Sequence, residues 1–136
     1  MLIFRLQLIL RLLRSTSLLA HIGETANIDC TKRSFSISIS NTSYHMYVAL
    51  RMKPAFFYYY FPLHLSKRFN WGFPLKQFCD HLRYGIDYSS MCFAIFEQNS
   101  PCAIFQFYNS CKYIPISCYF LTHNINFDSF LETSTH

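Results

Sequence analysis

Glycine is scarce, with three in 136 residues. A phosphate cradle of the Walker or dinucleotide type needs several glycines for its tight turns and close backbone approach, so nucleotide chemistry of that kind is set aside. No GxSxG elbow, HExxH pair or kinase signature occurs, which removes the common hydrolase and phosphoryl-transfer motifs. The seven carboxylates form no recognisable acid–base pair. Charged residues reach only 14%, against about 25% in an ordinary domain, so a wetted, patch-free surface is hard to assemble. These absences point to a non-enzymatic protein without a cofactor or an identifiable small-molecule substrate.

Metal chemistry is equally thin. Structural zinc wants four ligands, usually with a short Cys-x2-4-Cys or His-x3-5-His pair, and the chain has neither. His64, Cys79 and His81 are the only grouping, and nothing in their spacing is specific. Cys79 and His81 are also the only near pair for a thiol nucleophile. The six cysteines, at 30, 79, 92, 102, 111 and 118, allow 15 disulfide pairings in an exported protein. A two-residue hairpin at Asn109-Ser110 would set Cys102 opposite Ser117 and diagonal to Cys118, the pair best placed to bond. Without a convincing export signal, free thiols are the preferred state.

What the chain has in plenty is apolar and aromatic. Phe numbers 15 and Tyr 10, and hydrophobic residues make up 51%. The opening MLIFRLQLILRLLRSTSLLA holds three charges, Arg5, Arg11 and Arg14, and no acidic residue stands before Glu24. Leu, Arg and Gln favour helix. At 100° per residue Gln7, Arg11 and Arg14 form a thin polar stripe, with Arg5 on the opposite face. The expectation is an apolar, Arg-containing helix over 1–22. As a membrane span it would set Arg11 near mid-bilayer at about 2.5–3.5 kcal/mol. As a secretory signal its apolar core is interrupted by Arg11. As a mitochondrial transit segment it has the arginines and serines, and the lack of acid, but little polar face. It could equally be an ordinary helix whose leucines are core.

The remainder, 23–136, reads as a single Cys- and aromatic-rich region. His21–Arg33 is taken as a polar connection. Ser34–Ser40, SFSISIS, alternates as a half-buried strand. Asn41-Thr42-Ser43 matches a glycosylation acceptor, which matters only in the secretory path. Tyr44–Lys53 fits helix or strand. Between Pro54 and Pro62 lies the run Phe56, Phe57, Tyr58, Tyr59, Tyr60, Phe61. It suits a buried strand, a membrane-interface belt with wet hydroxyls, or an aggregation-prone segment. In SKRFNWGF (66–73), Lys67 and Arg68 beside Phe69 and Trp71 have the chemistry of a base-stacking patch. A pI near 8.9 and the absence of an RNA-module pattern favour an amphiphilic loop instead, with no specific nucleic-acid partner. Leu75–Tyr84 has helical spacing and stops at Gly85. From Met91, apolar runs divided by Asn, Ser and Pro suggest an antiparallel meander, Pro115 marking an edge or a break, with Asn124–Phe127 alternating and Thr133–His136 frayed.

Charge is uneven: eleven of the twelve Lys and Arg lie at or before Arg83. A basic front half mildly favours anionic partners. Together these features predict an α+β protein, a helix followed by short antiparallel strands and poorly ordered in places. It would be membrane-associated or organelle-targeted, possibly mitochondrial, with lipid or a protein as partner; Arg5, Arg11, Arg14 and the run 56–61 would meet the membrane. Two alternatives stand beside it. One is a secreted, disulfide-linked protein. The other is an unselected reading frame, since Phe, Tyr, Ile and Asn are what A/T-rich codons supply.

Overall fold

Leu2, Phe4 and Leu6 alternate with Ile3 and Arg5, and at the chain's start this period of two prevails over helical spacing. The computed structural model describes residues 2–41, 43, 45–57, 59–62, 69–97, 100–109 and 117–122. Strand β1 is Leu2–Leu6, and only then does helix α1 begin, Ile9–Leu19. There follow β2 (Thr25–Cys30), β3 (Phe35–Asn41), β4 (Met46–Met52), a 3-10 turn at Pro54–Phe56 and β5 (Tyr59–Pro62). The second half holds β6 (Phe69–Pro74), α2 (Leu75–Gly85), β7 (Ser90–Ile95), β8 (Cys102–Tyr108) and β9 (Ser117–Thr122). The fold is α+β, with every strand pairing antiparallel.

The element order strand–helix–three strands occurs twice, as β1-α1-β2-β3-β4 and as β6-α2-β7-β8-β9. The two halves exchange their first strands. One sheet runs β5-β1-β7-β8-β9 and the other β4-β3-β2-β6, so β1 lies in the sheet of the second half and β6 in that of the first. The registers Phe4↔Phe93 and Ile28↔Trp71 fix both crossings. Leu2, Phe4 and Leu6 are fully buried, as are Trp71 and Phe73 in β6. Strand β7 is buried along its whole length.

The core lies between the two sheets and under the helices. Phe4 stacks on Phe93 of its own sheet at 5.0 Å and meets Phe35 of the other edge-on at 5.1 Å. Phe78 of α2 touches rings from both sheets, Phe73 at 5.0 Å and Phe105 at 5.4 Å. Such pairs add about 0.5–1.5 kcal/mol each beyond burial. Neither helix has a side-chain cap or an acid in its first turn, so their stability comes from packing rather than from their ends.

Several expectations are corrected here. The opening residues are not one helix over 1–22, because the apolar set at 2, 4 and 6 is captured by pairing on both edges, with β5 and with β7. Helix α1 is 11 residues long, or about 16 Å, half of the roughly 30 Å hydrocarbon layer. Among the described residues no helix is long and apolar enough to cross a membrane. The supposed connection 21–33 contains β2, whose Ala26, Ile28 and Cys30 alternate inward. Within the stretch 44–53, Met46–Met52 forms β4, and Phe69 and Trp71 are buried strand residues rather than a loop. Pro115, 124–127 and 133–136 lie outside the described residues.

Gly85 ends α2 directly beneath Phe107, and a Cβ there would overlap the Phe107 ring. Gly85→Ala should therefore lose about 1–3 kcal/mol, read as a lower urea midpoint with an unchanged slope.

Candidate functional site

Helices α1 and α2 bury the same five steps of their length: Ile9, Leu12, Leu13, Thr16 and Leu19 in one, Leu75, Phe78, Cys79, Leu82 and Gly85 in the other. That shared pattern sets them side by side over the core. Where they touch, the Cys79 thiol donates to Thr16 Oγ1 at 3.6 Å, and Thr16 donates in turn to the Leu12 carbonyl at 2.9 Å. The opposite faces form one outer layer. It exposes Arg11 and Arg14 from α1 and Lys76 and Arg83 from α2. One carboxylate lies among them, Asp80, paired with Arg83 at 2.7 Å with both side chains about half exposed. An exposed pair of that kind is worth little, so the layer keeps its excess of positive charge.

Two clefts open beside α1. One, about 450 Å³, lies at its start between Gln7, Leu8, Leu10, Arg14 and Ile86. The other, about 240 Å³, lies between α1 and the end of β4, where Arg11 and Ser15 face Arg51, Lys53 and Phe56.

The residues assigned to a membrane surface are placed differently from one another. Arg5 is half-buried on the outer face of the five-stranded sheet. Its Nη2 and Nε donate to Ser90 Oγ at 2.9 and 3.2 Å, and its guanidinium stands 4.5 Å from the Tyr108 ring centroid. Arg11 is exposed over Phe56, 5.9 Å from its centroid, and Arg14 is exposed on the same helix. Phe57 is core, against Phe4 at 4.8 Å and Phe35 at 5.4 Å. Phe56 is half-buried and meets Phe57 edge-on. Tyr60 stacks on Phe57, and its hydroxyl lies within hydrogen-bonding distance of the Thr31 and Ser34 carbonyls, tying the β2–β3 turn. Tyr59 and Phe61 belong to β5 opposite Arg5 and Ile3, and Tyr58 lies outside the described residues.

The ladder sets Cys102 opposite Thr122 and Cys118 opposite Gln106, four positions apart instead of diagonal. Cys30, Cys79 and Cys102 carry free thiols. The Asn41 amide is committed at both ends: Nδ2 donates to the Ile22 carbonyl at 2.8 Å, and Oδ1 accepts from Ser43 N–H. Cys79 and His81 sit two apart on α2 and so face different ways; His81 packs edge-on against Phe105. No group of three metal-binding side chains occurs among the described residues. His64, Lys67 and Arg68 lie outside them. Trp71 is fully buried, its indole N–H donating to the Ser100 carbonyl at 3.1 Å, so it offers no ring to a base. Sequence reasoning missed Lys76 and Arg83 as partners of Arg11 and Arg14. Both stand on the polar face of a legible helix, but periodicity within one helix does not say which other helix lies beside it.

No family profile matches the chain, and no curated protein matches it in sequence. Its fold, however, is found among solved structures. It is similar to the proliferating cellular nuclear antigen of Entamoeba histolytica, with a TM-score of 0.66 and 14% identity over 91% of this chain and 46% of that one. The chain thus spans about half the length of the protein that it matches.

The membrane-associated, organelle-targeted reading is overturned by these findings, and so is the location drawn from it. Residues 2–6 and 9–19 are a strand and a helix of the core, and no helix among the described residues is long and apolar enough to cross a membrane. The helix over 1–22 on which the secretory alternative was built is likewise replaced by a strand and a helix of the core. The setting aside of nucleic acid rested on missing RNA motifs, which say nothing about a fold of this kind.

Burial pushes the Cys30 thiol up from its ordinary 9.0 to about 11, partly offset by its contact with Tyr60. Burial also raises Tyr60, as does the neighbouring Cys30. A raised thiol pKa favours folding while the thiol stays protonated, fully so below pH 9, and that stability is lost as pH climbs toward 11. Urea midpoints should therefore fall between pH 9 and 11. At pH 8 iodoacetamide should label the half-buried Cys102 well before Cys30, as followed by peptide mass mapping.

Proposed function

We propose that the chain is a non-enzymatic, DNA-associated, clamp-like domain that holds the phosphate backbone against its helix layer. The observation that carries this reading is the set of outward cations on the paired helices, Arg11, Arg14, Lys76 and Arg83, with Asp80 the one carboxylate on those two helices. The likeness of the fold to a proliferating cellular nuclear antigen supports it. Contacts of this sort neutralise phosphates without reading bases, so they position a duplex and give no sequence preference. A single domain offers one short arc of such a surface, which makes binding by one copy weak and salt-dependent. A protein with this role acts where DNA is, not at a lipid surface.

Fluorescence anisotropy with an internally labelled duplex, blunt and free of terminal phosphate, tests the reading. Each neutralised phosphate contributes about −0.9 to the slope of log affinity against log salt. Four helix cations should therefore give a slope of about −2 to −4, with the same affinity for unrelated sequences. Replacing Arg11, Arg14, Lys76 and Arg83 together with Gln should weaken binding at least tenfold at low salt and flatten the slope. A flat slope in the unaltered protein, or full binding by the fourfold variant, refutes the proposal.

A further inference from the structure

The cleft between α1 and β4 gathers three cations. Its volume of about 240 Å³ holds about eight waters, ample for a tetrahedral anion and part of its hydration. Arg11 enters from α1, Arg51 from β4 and Lys53 from the residue after it, and no carboxylate lines the cleft. Leu12, Leu50, Met52 and Phe56 form the apolar part of the wall. Asp29 stands in a separate cleft reached from the other side of Arg51. Ser15 donates its hydroxyl hydrogen to the Arg11 carbonyl at 3.0 Å, so recognition of an anion falls to the three cations.

From this we infer that the cleft is a binding site for one phosphomonoester group. Three cations line one cleft with no carboxylate among its described lining residues, and like charges on one wall are relieved by a ligand in proportion to its own charge. A phosphodiester carries one negative charge, whereas a phosphomonoester carries about 1.5 to 2 at neutral pH and three acceptor oxygens. Two guanidinium groups can each meet such a group through paired N–H donors, and the ammonium of Lys53 adds a point charge. The site shares only Arg11 with the helix layer. Arg51 and Lys53 are its own, and it does not depend on the backbone-binding role.

Isothermal titration of the full chain with inorganic phosphate at low ionic strength, against sodium chloride at matched ionic strength, tests the inference. One saturable phosphate site is expected. Arg51→Gln and Lys53→Gln should each weaken it at least fivefold, while Arg14→Gln and Arg83→Gln leave it unchanged. Both Arg51 and Lys53 are exposed, and thermal melts of the variants confirm folding. Non-saturable heats, or phosphate affinity in Arg51→Gln and Lys53→Gln unchanged from that of the unaltered protein, overturn the inference. A 5′-phosphorylated oligonucleotide that binds more tightly than its 5′-hydroxyl twin, with the gain lost in Lys53→Gln, assigns the group to a nucleic-acid end. Equal binding of the twins alongside a saturable phosphate site assigns it to a free phosphate. Loss of binding to the unphosphorylated duplex with phosphate binding intact defeats the backbone reading alone.

Discussion

The structure depends on Leu2–Leu6 being held as an interior strand. β1 pairs with β5 on one edge and with β7 on the other, and its inward side chains show no exposed surface. Phe4 is the point where the sheets meet, touching Phe93 beside it and Phe35 and Phe57 across from it. Removing a ring so placed costs about 3–5 kcal/mol, a large part of the 5–15 kcal/mol by which an ordinary domain is stable. Because β1 sits in the second half's sheet and β6 in the first half's, neither half closes its own core. The oiliness that looks like an affinity for lipid is used to interlock them.

The helix layer follows from the same arrangement. Once both sheets have taken their exchanged strands, α1 and α2 cover the remaining core with matched buried positions and a Thr16–Cys79 contact between them. Their polar residues then have one direction left, outward and together. The few charges of the chain are concentrated by topology: residues far apart in sequence, Arg14 and Arg83, come to share one surface. Arg5 is the exception that shows the rule. It lies on the far face of the five-stranded sheet, covering Ser90 and Tyr108, and contributes packing and hydrogen bonds rather than a binding surface.

Much of the framework was legible in the residues. The alternation of Phe35, Ile37 and Ile39 named β3, the spacing of Leu75, Phe78, Cys79 and Leu82 named α2, and the apolar runs after Met91 located β7 and β8. What was not legible was long-range. Residues 2–6 satisfy a helical and an alternating pattern at once, and only pairing with β5 and β7 decides between them. β2 is short and polar on its outer face, so Asn27 and Asp29 disguised a strand whose Ala26, Ile28 and Cys30 are core. The distance between Cys102 and Cys118 along the ladder is a matter of register, which pairing of whole strands sets rather than any local pattern. The cations of the helix layer were each visible, but their meeting is a property of the exchanged strands.

Residue-resolved hydrogen exchange, in buffer without lipid, tests the interlocking role of β1 most directly. Amides of Leu2–Leu6 should exchange only through global unfolding, with the same free energy as those of Ser90–Ile95. Exchange of 2–6 within seconds while β7 stays protected, or protection of 2–6 that appears only on adding vesicles, would contradict it.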